Sequence, residues 1–349
     1  MSKTSDFELT PDVVAAAYHL LLDRAPDAGS SLEDGVNYHK TVKALRKNFA
    51  ATPEGTKNLF ELLFPHLPFD IITVKSKRGY DIKINLKDLG VSSSIFLTDD
   101  FEPHIEQYIC SHIDPCKSFI DIGANIGWFT LIAGRKMAQY WTPEKGERGR
   151  VISFEANANT AKILMSNVVA SPYRDQIDVF PYALSDSTDI LYFEDMKVGN
   201  IAGSSVYPNP LNHLNSVQQG ILAKYNGSYE AVGQNPLLKT PCLPLDEVLE
   251  DHRQDIGLIK MDVEGSEPSV IRGAKETLKR FKPDMLVEFH GDKLRLVSDA
   301  TPASLVAQIA DLGYAFYDFQ SENKQALSSE EITQIVDANG YYDFIAKPK

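Results

Sequence analysis

The chain has 349 residues, with 35 Lys+Arg against 48 Asp+Glu and a formal charge of −13. That balance disfavours a nucleic-acid partner, because phosphate contact needs a basic footprint. Cys110, Cys116 and Cys242 lack metal-ligand spacing, and there is no apolar signal core or membrane-length apolar run, so a cytoplasmic protein without a membrane span is expected.

Residues 1–66 read as a helical module. Thr10-Pro11 opens the amphipathic run DVVAAAYHLLLDR, RAPDAGSS breaks it, and TVKALRKNFA and TKNLFELLF continue before Pro65 and Pro68. Packing, or homo-oligomer formation through these helices, is the expected role, with substrate or partner docking as the alternative. Residues 67–349 form the second predicted domain. Two short strands in 69–86 flank Arg78-Gly79 as a β-hairpin, and FEPHIEQYICSHI (101–113) reads as a helix. Strands SFIDIG, VISFEA, IDVFPYAL, IGLIKMDV and DMLVEFH then alternate with helices WFTLIAGRKMA, TAKILMSNVVA, PSVIRGAKETLKRF and TPASLVAQIADLG. The alternation predicts an α/β fold: a Rossmann-like, doubly wound, mostly parallel sheet. YAFYDF and YYDFIAKP, separated by a polar stretch, predict an antiparallel hairpin at one edge. Residues 195–241, rich in Gly, Asn, Pro, Ser and Tyr, predict a long insertion or lid loop over the strand ends.

The chemistry concentrates at predicted strand ends. SFIDIGANIG (118–127) runs a buried strand through Asp121 into the turn Gly123-Ala124-Asn125-Ile126-Gly127. Glycine there lets the backbone approach a ligand that a Cβ would block. Glu155 closes the next strand, where a carboxylate accepts hydrogen bonds from ribose hydroxyls. Asn125 breaks the dinucleotide fingerprint G-x-G-x-x-G, and Asp121 would set an anion beside a bound phosphate. Both suit a cationic nucleoside better, and S-adenosyl-L-methionine fits. Asp186, after the third strand, either binds the adenine amino group or caps a turn with Ser185 and Ser187.

Further along, Lys260 and Asp262 lie two apart and share a face near the end of the fourth strand, with Glu264 in the turn. Glu288 and His290 share a face at the end of the fifth. His290 is the general-base candidate, since imidazole titrates near neutrality. Asp262 and Glu288 would orient it or hold a cation, and Lys260 would stabilise alkoxide character or pair with Glu264. A divalent cation is possible but not expected: a hard-cation site needs about six oxygens, and the two or three carboxylates supplied lack diagnostic spacing.

These segments resemble the FkbM family of class I S-adenosylmethionine-dependent methyltransferases from about Phe101 to Lys347. FIDIGANIGWFT is similar to the family's cofactor motif, FEPHIEQYI to its acidic lead-in, and IKMDVEGSEPSVIRGAKETL with PDMLVEFH to its most specific stretch. YALSD and Gly203-Ser204-Ser205 fit its middle. FEANANT departs from it, lacking the usual proline after the ribose glutamate, as does the enlarged 195–241 loop. YHLLLDRAPDAGSSLEDGV resembles a helical module of proteins linked to surface glycans. The resemblance implies methyl transfer to a hydroxyl of a sugar, glycan or natural-product acceptor. The alternatives are an NAD-dependent oxidoreductase on the same fold and a non-catalytic cofactor-bound scaffold.

Overall fold

A computed structural model of the chain describes residues 70–88, 90–194, 206–207, 237–319 and 325–349. The expected helical module at 1–66 and most of the 195–241 loop lie outside these residues. The chain enters through β1 (Ile71–Lys75) and β2 (Asp81–Asn85), an antiparallel hairpin turning at Gly79, then α1 (Val91–Thr98) and α2 (Pro103–His112). The repeating core follows: β3 (Ser118–Ile122), α3 (Trp128–Tyr140), β4 (Val151–Phe154), α4 (Ala158–Ala170) and β5 (Ile177–Phe180). Strands β6 (Ala183–Leu184), β7 (Asp189–Glu194), β8 (Val206–Tyr207) and β9 (Leu237–Leu243) form a separate small sheet. After α5 (Leu245–Val248) the core resumes with β10 (Ile256–Met261), α6 (Glu267–Gly273), α7 (Lys275–Phe281) and β11 (Asp284–His290). It closes with α8 (Gly291–Ser298), α9 (Pro302–Ala310), β12 (Tyr314–Tyr317), α10 (Ser329–Asn339) and β13 (Tyr341–Pro348).

The main sheet runs β12-β13-β11-β10-β3-β4-β5. Every pair from β11 to β5 is parallel, and β13 lies antiparallel between β11 and β12. Strands buried on both faces read as continuous apolar runs, and β3 and β4 are buried along their whole length. Alternate residues feed two cores. Ile120, Ile122, Ile259, Met261, Met285 and Val287 pack under α6, α9 and α10. Phe119, Leu258, Leu286 and Ile345 pack under the hairpin, α1, α2 and α3. Parity along the strands therefore assigns Asp121, Lys260, Asp262, Glu288, His290 and Asp343 to the α2–α3 face.

Four sequence expectations change. IDVFPYAL is not one strand: Pro181, which cannot donate to a ladder, ends β5, and β6 joins the small sheet. Leu237–Leu243 is strand, so the predicted loop cannot extend to 241. PSVIRGAKETLKRF is two helices, broken at Ala274. The polar stretch before the last strand contains α10, capped by the Ser328/Glu331 box. The edge pair β12–β13 is antiparallel as expected, with α10 between its strands.

Candidate active site

The turn after β3 holds Gly123, Asn125 and Gly127 at positive φ (81°, 51° and 94°). Gly123 and Ala124 donate their N–H groups to Phe154 O, which ties the turn to the end of β4. A Cβ on Gly123 would lie 1.8 Å from Asp262 O. Glycine is thus required by the protein's own backbone beyond β10, rather than by the approach of a ligand as the sequence suggests. Asn125 sits where left-handed backbone is tolerated by a short polar side chain. Its Oδ1 accepts from Ile126 N at 2.7 Å, and its N–H donates to Glu155 Oε2 at 2.8 Å. Gly123→Val is expected to push the β3 and β10 ends apart, lowering the melting temperature and the affinity for the cofactor together. Thermal denaturation and calorimetry on one sample would check this; an unchanged melting temperature would contradict it.

Glu155 is buried at the β4 end. Its Oε1 accepts from Asn157 N at 2.8 Å, so both oxygens bond backbone N–H groups. Burial pushes its carboxyl up to about 7, against those hydrogen bonds. Asp121 does not line the turn. It is fully buried within β3, where Oδ2 accepts from Thr130 Oγ1 at 2.6 Å and Oδ1 has no hydrogen-bond partner among the described residues. It faces Lys260, its register partner in β10. Asp186 stands apart, accepting from Arg272 Nε at 2.6 Å and from Ser185 Oγ at 3.4 Å.

Lys260 is the buried cation of the α2–α3 face. Its side chain is 6% exposed, Nζ lies 3.1 Å from Asp262 Oδ2, and it stands 5.2 Å from the Phe129 ring. Burial alone would lower its pKa. The charges of Asp262, Asp121 and Glu102 outweigh that and raise it. Asp262 is correspondingly held below its usual value: burial opposes ionisation, but Lys260 and a hydrogen bond with Glu288 win. Glu288 moves the other way, raised by burial and by the charges of Asp262, Glu264 and Asp343. The two shifts run in opposite directions, so of this pair Asp262 is the group more readily ionised and Glu288 the one that holds its proton more tightly. The sequence-based pairing of Lys260 with Glu264 gives way to Lys260–Asp262 and Lys293–Glu264, the latter at 3.9 Å.

Carboxylate oxygens of Asp262, Glu264 and Glu288 lie within 4.8 Å of one another. These are hard-cation donors, although Lys260 and Lys293 already supply positive charge to two of them. Glu264, at φ 53°, is pushed up to about 7, first by burial and then by Asp262, against Lys293. His290 closes β11 and caps α8: Nδ1 accepts from Lys293 N at 3.5 Å, and the ring stacks on Tyr341 at 6.1 Å.

Two acidic groups at this end are not among the candidate site residues read from the sequence, although Glu102 lies in the lead-in FEPHIEQYI. Asp343 is the cross-strand neighbour of Glu288. Glu102, just before α2, is pushed up to about 8 by burial and by the charges of Asp343 and Asp262. Only the pairing register of β13 and the turn into α2 bring them in, and no spacing within the motifs signals either.

The turn and the cluster share a wall, since Asp262 N donates to Ile122 O at 3.1 Å and Gly123 abuts Asp262 O. The model of the FkbM methyltransferase domain matches residues 121–316, more than half of the chain. The chain belongs to the FkbM methyltransferase family. S-adenosylmethionine is the methyl donor of this class, and the strand order is that of its Rossmann-like sheet. An FkbM methyltransferase from Methylobacillus flagellatus is 12% identical (TM-score 0.35), aligned over 73% of this chain and 52% of that one. The chain thus spans about half the length of that structure. An O-methyltransferase from Bacillus cereus, solved in complex with SAH, is 15% identical over 72% of this chain and 84% of that one (TM-score 0.36). A precorrin-6y C5,15-methyltransferase from Geobacter metallireducens is 13% identical over 70% and 87% (TM-score 0.36). No curated protein sequence matches the chain. Among the described residues, no helix is long and apolar enough to cross a membrane.

Proposed function

We propose that the chain transfers the methyl group of S-adenosylmethionine to a hydroxyl oxygen of a sugar, glycan or natural-product acceptor. The observation that carries this reading is the shared wall: the Glu155-anchored turn and the carboxylate cluster meet through the Gly123–Asp262 contact. The residues fit the cofactor. Carboxyl groups line this end of the sheet, with Asp262 favoured as the carboxylate, which suits a sulfonium and an ammonium better than a pyrophosphate. Gly123, Ala124, Asn125 and Gly127 would hold it with Glu155, Asp121 closing the floor behind them and Asp186 standing beyond β6. The bound cofactor supplies an electrophilic methyl group.

The rest falls to the chain's own side chains. In-line displacement depends on positioning, and the attacking hydroxyl must lose a proton. His290 takes that proton. Asp262, favoured as the carboxylate by Lys260, fixes the charge around His290, and Glu288, raised by burial and its acidic neighbours, offers an acid proton toward an acceptor oxygen. Glu264 is a second proton acceptor, favoured by a carboxyl titrating near 7. Calorimetry with S-adenosylmethionine, its demethylated product and NAD in parallel tests the donor: the first two are expected to bind and NAD is not. Binding of NAD alone would restore the oxidoreductase alternative. Donor binding without turnover on any hydroxylated acceptor would favour the scaffold.

A further inference from the structure

Asn167 interrupts the buried stripe of α4, where its neighbours are Ala161, Leu164 and Val168. The residue is 1% exposed, and an amide buried that deeply persists only with its hydrogen bonds made. Its carbonyl and both its donor positions are used. Oδ1 accepts from Lys83 N at 2.7 Å, and Nδ2 donates to Lys83 O at 3.0 Å and to Ile126 O at 2.8 Å. Both partners of Nδ2 are carbonyls and the partner of Oδ1 is an N–H, so the amide sits only one way round.

The two sides of this amide face different elements. Toward the hairpin, Lys83 lies in the middle of β2, paired with Thr73 of β1. Its N–H and C=O both go to the Asn167 side chain, as they would go to a third strand, and a two-stranded hairpin is marginal without such support. Toward the other side, Ile126 stands between Asn125 and Gly127, both at positive φ. One helical turn before Asn167, Leu164 closes on the same loop: a Cβ on Gly127 would lie 2.6 Å from Leu164 Cδ1.

A second contact reaches this turn from the tip of the hairpin. The Arg78 guanidinium lies 4.3 Å over the ring of Trp128, the residue after Gly127. It is fixed there by Glu106 Oε1, at 2.9 Å from Nε, and by Asp99 O, at 2.6 Å from Nη1. The hairpin therefore braces the Gly123–Gly127 turn at Ile126 through Asn167 and at Trp128 through Arg78. Residues 71–85 precede the matched stretch 121–316, so the brace adds to the family's matched core.

We infer that Asn167 is a positioning residue for the cofactor: it locks the Gly123–Gly127 turn to α4 and to the β1–β2 hairpin, which makes the hairpin a working part of the cofactor site. The inference rests on the reading that this turn holds S-adenosylmethionine. The turn has no strand ladder to keep its shape, and Gly123, Asn125 and Gly127 are all left-handed. Its form depends on the bonds to Phe154 O, Glu155 and Asn167. With Ile126 O released, the bound cofactor would have to order the turn itself, and that ordering is subtracted from its affinity.

The test measures S-adenosylmethionine binding to the full chain by calorimetry, below the unfolding onset of every variant. Asn167→Ala removes all three bonds. Asn167→Asp keeps an acceptor for Lys83 N and sets an oxygen against the two carbonyls. Both variants are expected to bind about tenfold or more weakly, at unchanged stoichiometry, which shows that the protein counted is folded. Leu305→Ala, in the opposite core under α9, is the control: it should melt lower and keep its affinity within about twofold. Glu155→Ala checks the turn and should also lose affinity. Hydrogen exchange of wild type reads the same link without a variant and decides the matter if the Asn167 variants do not fold. Saturation with the demethylated cofactor product should slow exchange of the Lys83 amide about fivefold more than that of β12 at the far edge of the sheet. Wild-type affinity in the Asn167 variants, an equal loss in Leu305→Ala, or no added protection at Lys83 would overturn the inference. Failure of wild type to bind, or wild-type affinity in Glu155→Ala, would instead overturn the cofactor reading of the turn.

Discussion

His290→Ala is expected to bind S-adenosylmethionine with unchanged affinity and to lose roughly 10²–10⁴ in turnover. The imidazole closes β11, two residues from Glu288 on the same face, and its charge is felt at Asp262. The cofactor turn lies between β3 and β4, beyond β10 in the sheet, so truncation at β11 leaves the donor's contacts in place. The Nδ1 bond to Lys293 N is long at 3.5 Å, and a bond that long is weak, so protonating the ring disturbs α8 little. Alanine also removes this α8 cap, whose loss should cost less than the about 0.5–2 kcal/mol typical of a well-made N-cap. His290→Asn separates the two effects, because it keeps an N-cap acceptor and loses the base. Both variants should show the same turnover deficit, measured as release of demethylated cofactor, with calorimetry confirming donor binding. A full rate in His290→Asn would remove His290 from the chemistry. The proton would then go to Glu264, and Glu264→Gln should carry the loss instead.

Much of this arrangement was legible in the residues. Continuous apolar runs marked β3 and β4 as central parallel strands, and the spacing of Lys260 from Asp262 placed both on one face. Other features depended on what folding brings together. Gly123 invited a ligand-based explanation, yet the atom that demands a glycine is Asp262 O, contributed 139 positions later in sequence. Asp121, just before the turn, read as an anion standing beside the bound ligand. The strand's pleat turns its side chain into the protein, toward Thr130 and Lys260. Glu102 read only as part of the acidic lead-in FEPHIEQYI, since nothing local reports that it feels the charges of Asp262 and Asp343 at the strand ends. The capping signals of α10, by contrast, were present in Ser328 and Glu331, ahead of Gly340, and the polar composition masked them.

Lys260→Met is expected to destabilise the fold by about 3–5 kcal/mol at pH 8, the range for removing one partner from a buried ion pair. The loss comes from the carboxylates left behind, since the fully buried Asp121 and the half-buried Asp262 would remain without their cation. Its pH dependence follows from the signs. Lys260 is raised in the folded state, so its contribution is present at all pH values below its unfolded pKa of about 10.4 and is constant between pH 5 and 8. Wild type nonetheless loses stability as pH rises from about 4.5 to 8. Glu155 and Glu264 (up to about 7) and Glu102 and Glu267 (up to about 8), all raised chiefly by burial, bind protons more tightly folded than unfolded. Asp262 runs the opposite way: its contribution is present above its unfolded pKa and lost as pH falls through its lowered folded value. In Lys260→Met that protection disappears, so the Asp262 carboxyl rises and joins the others in gaining stability on acidification. The gap between variant and wild type should therefore shrink from pH 8 to pH 5, as measured by urea denaturation at each pH. A gap that is constant across this range would mean that the lysine's stem and packing, rather than its charge, hold the strand ends together.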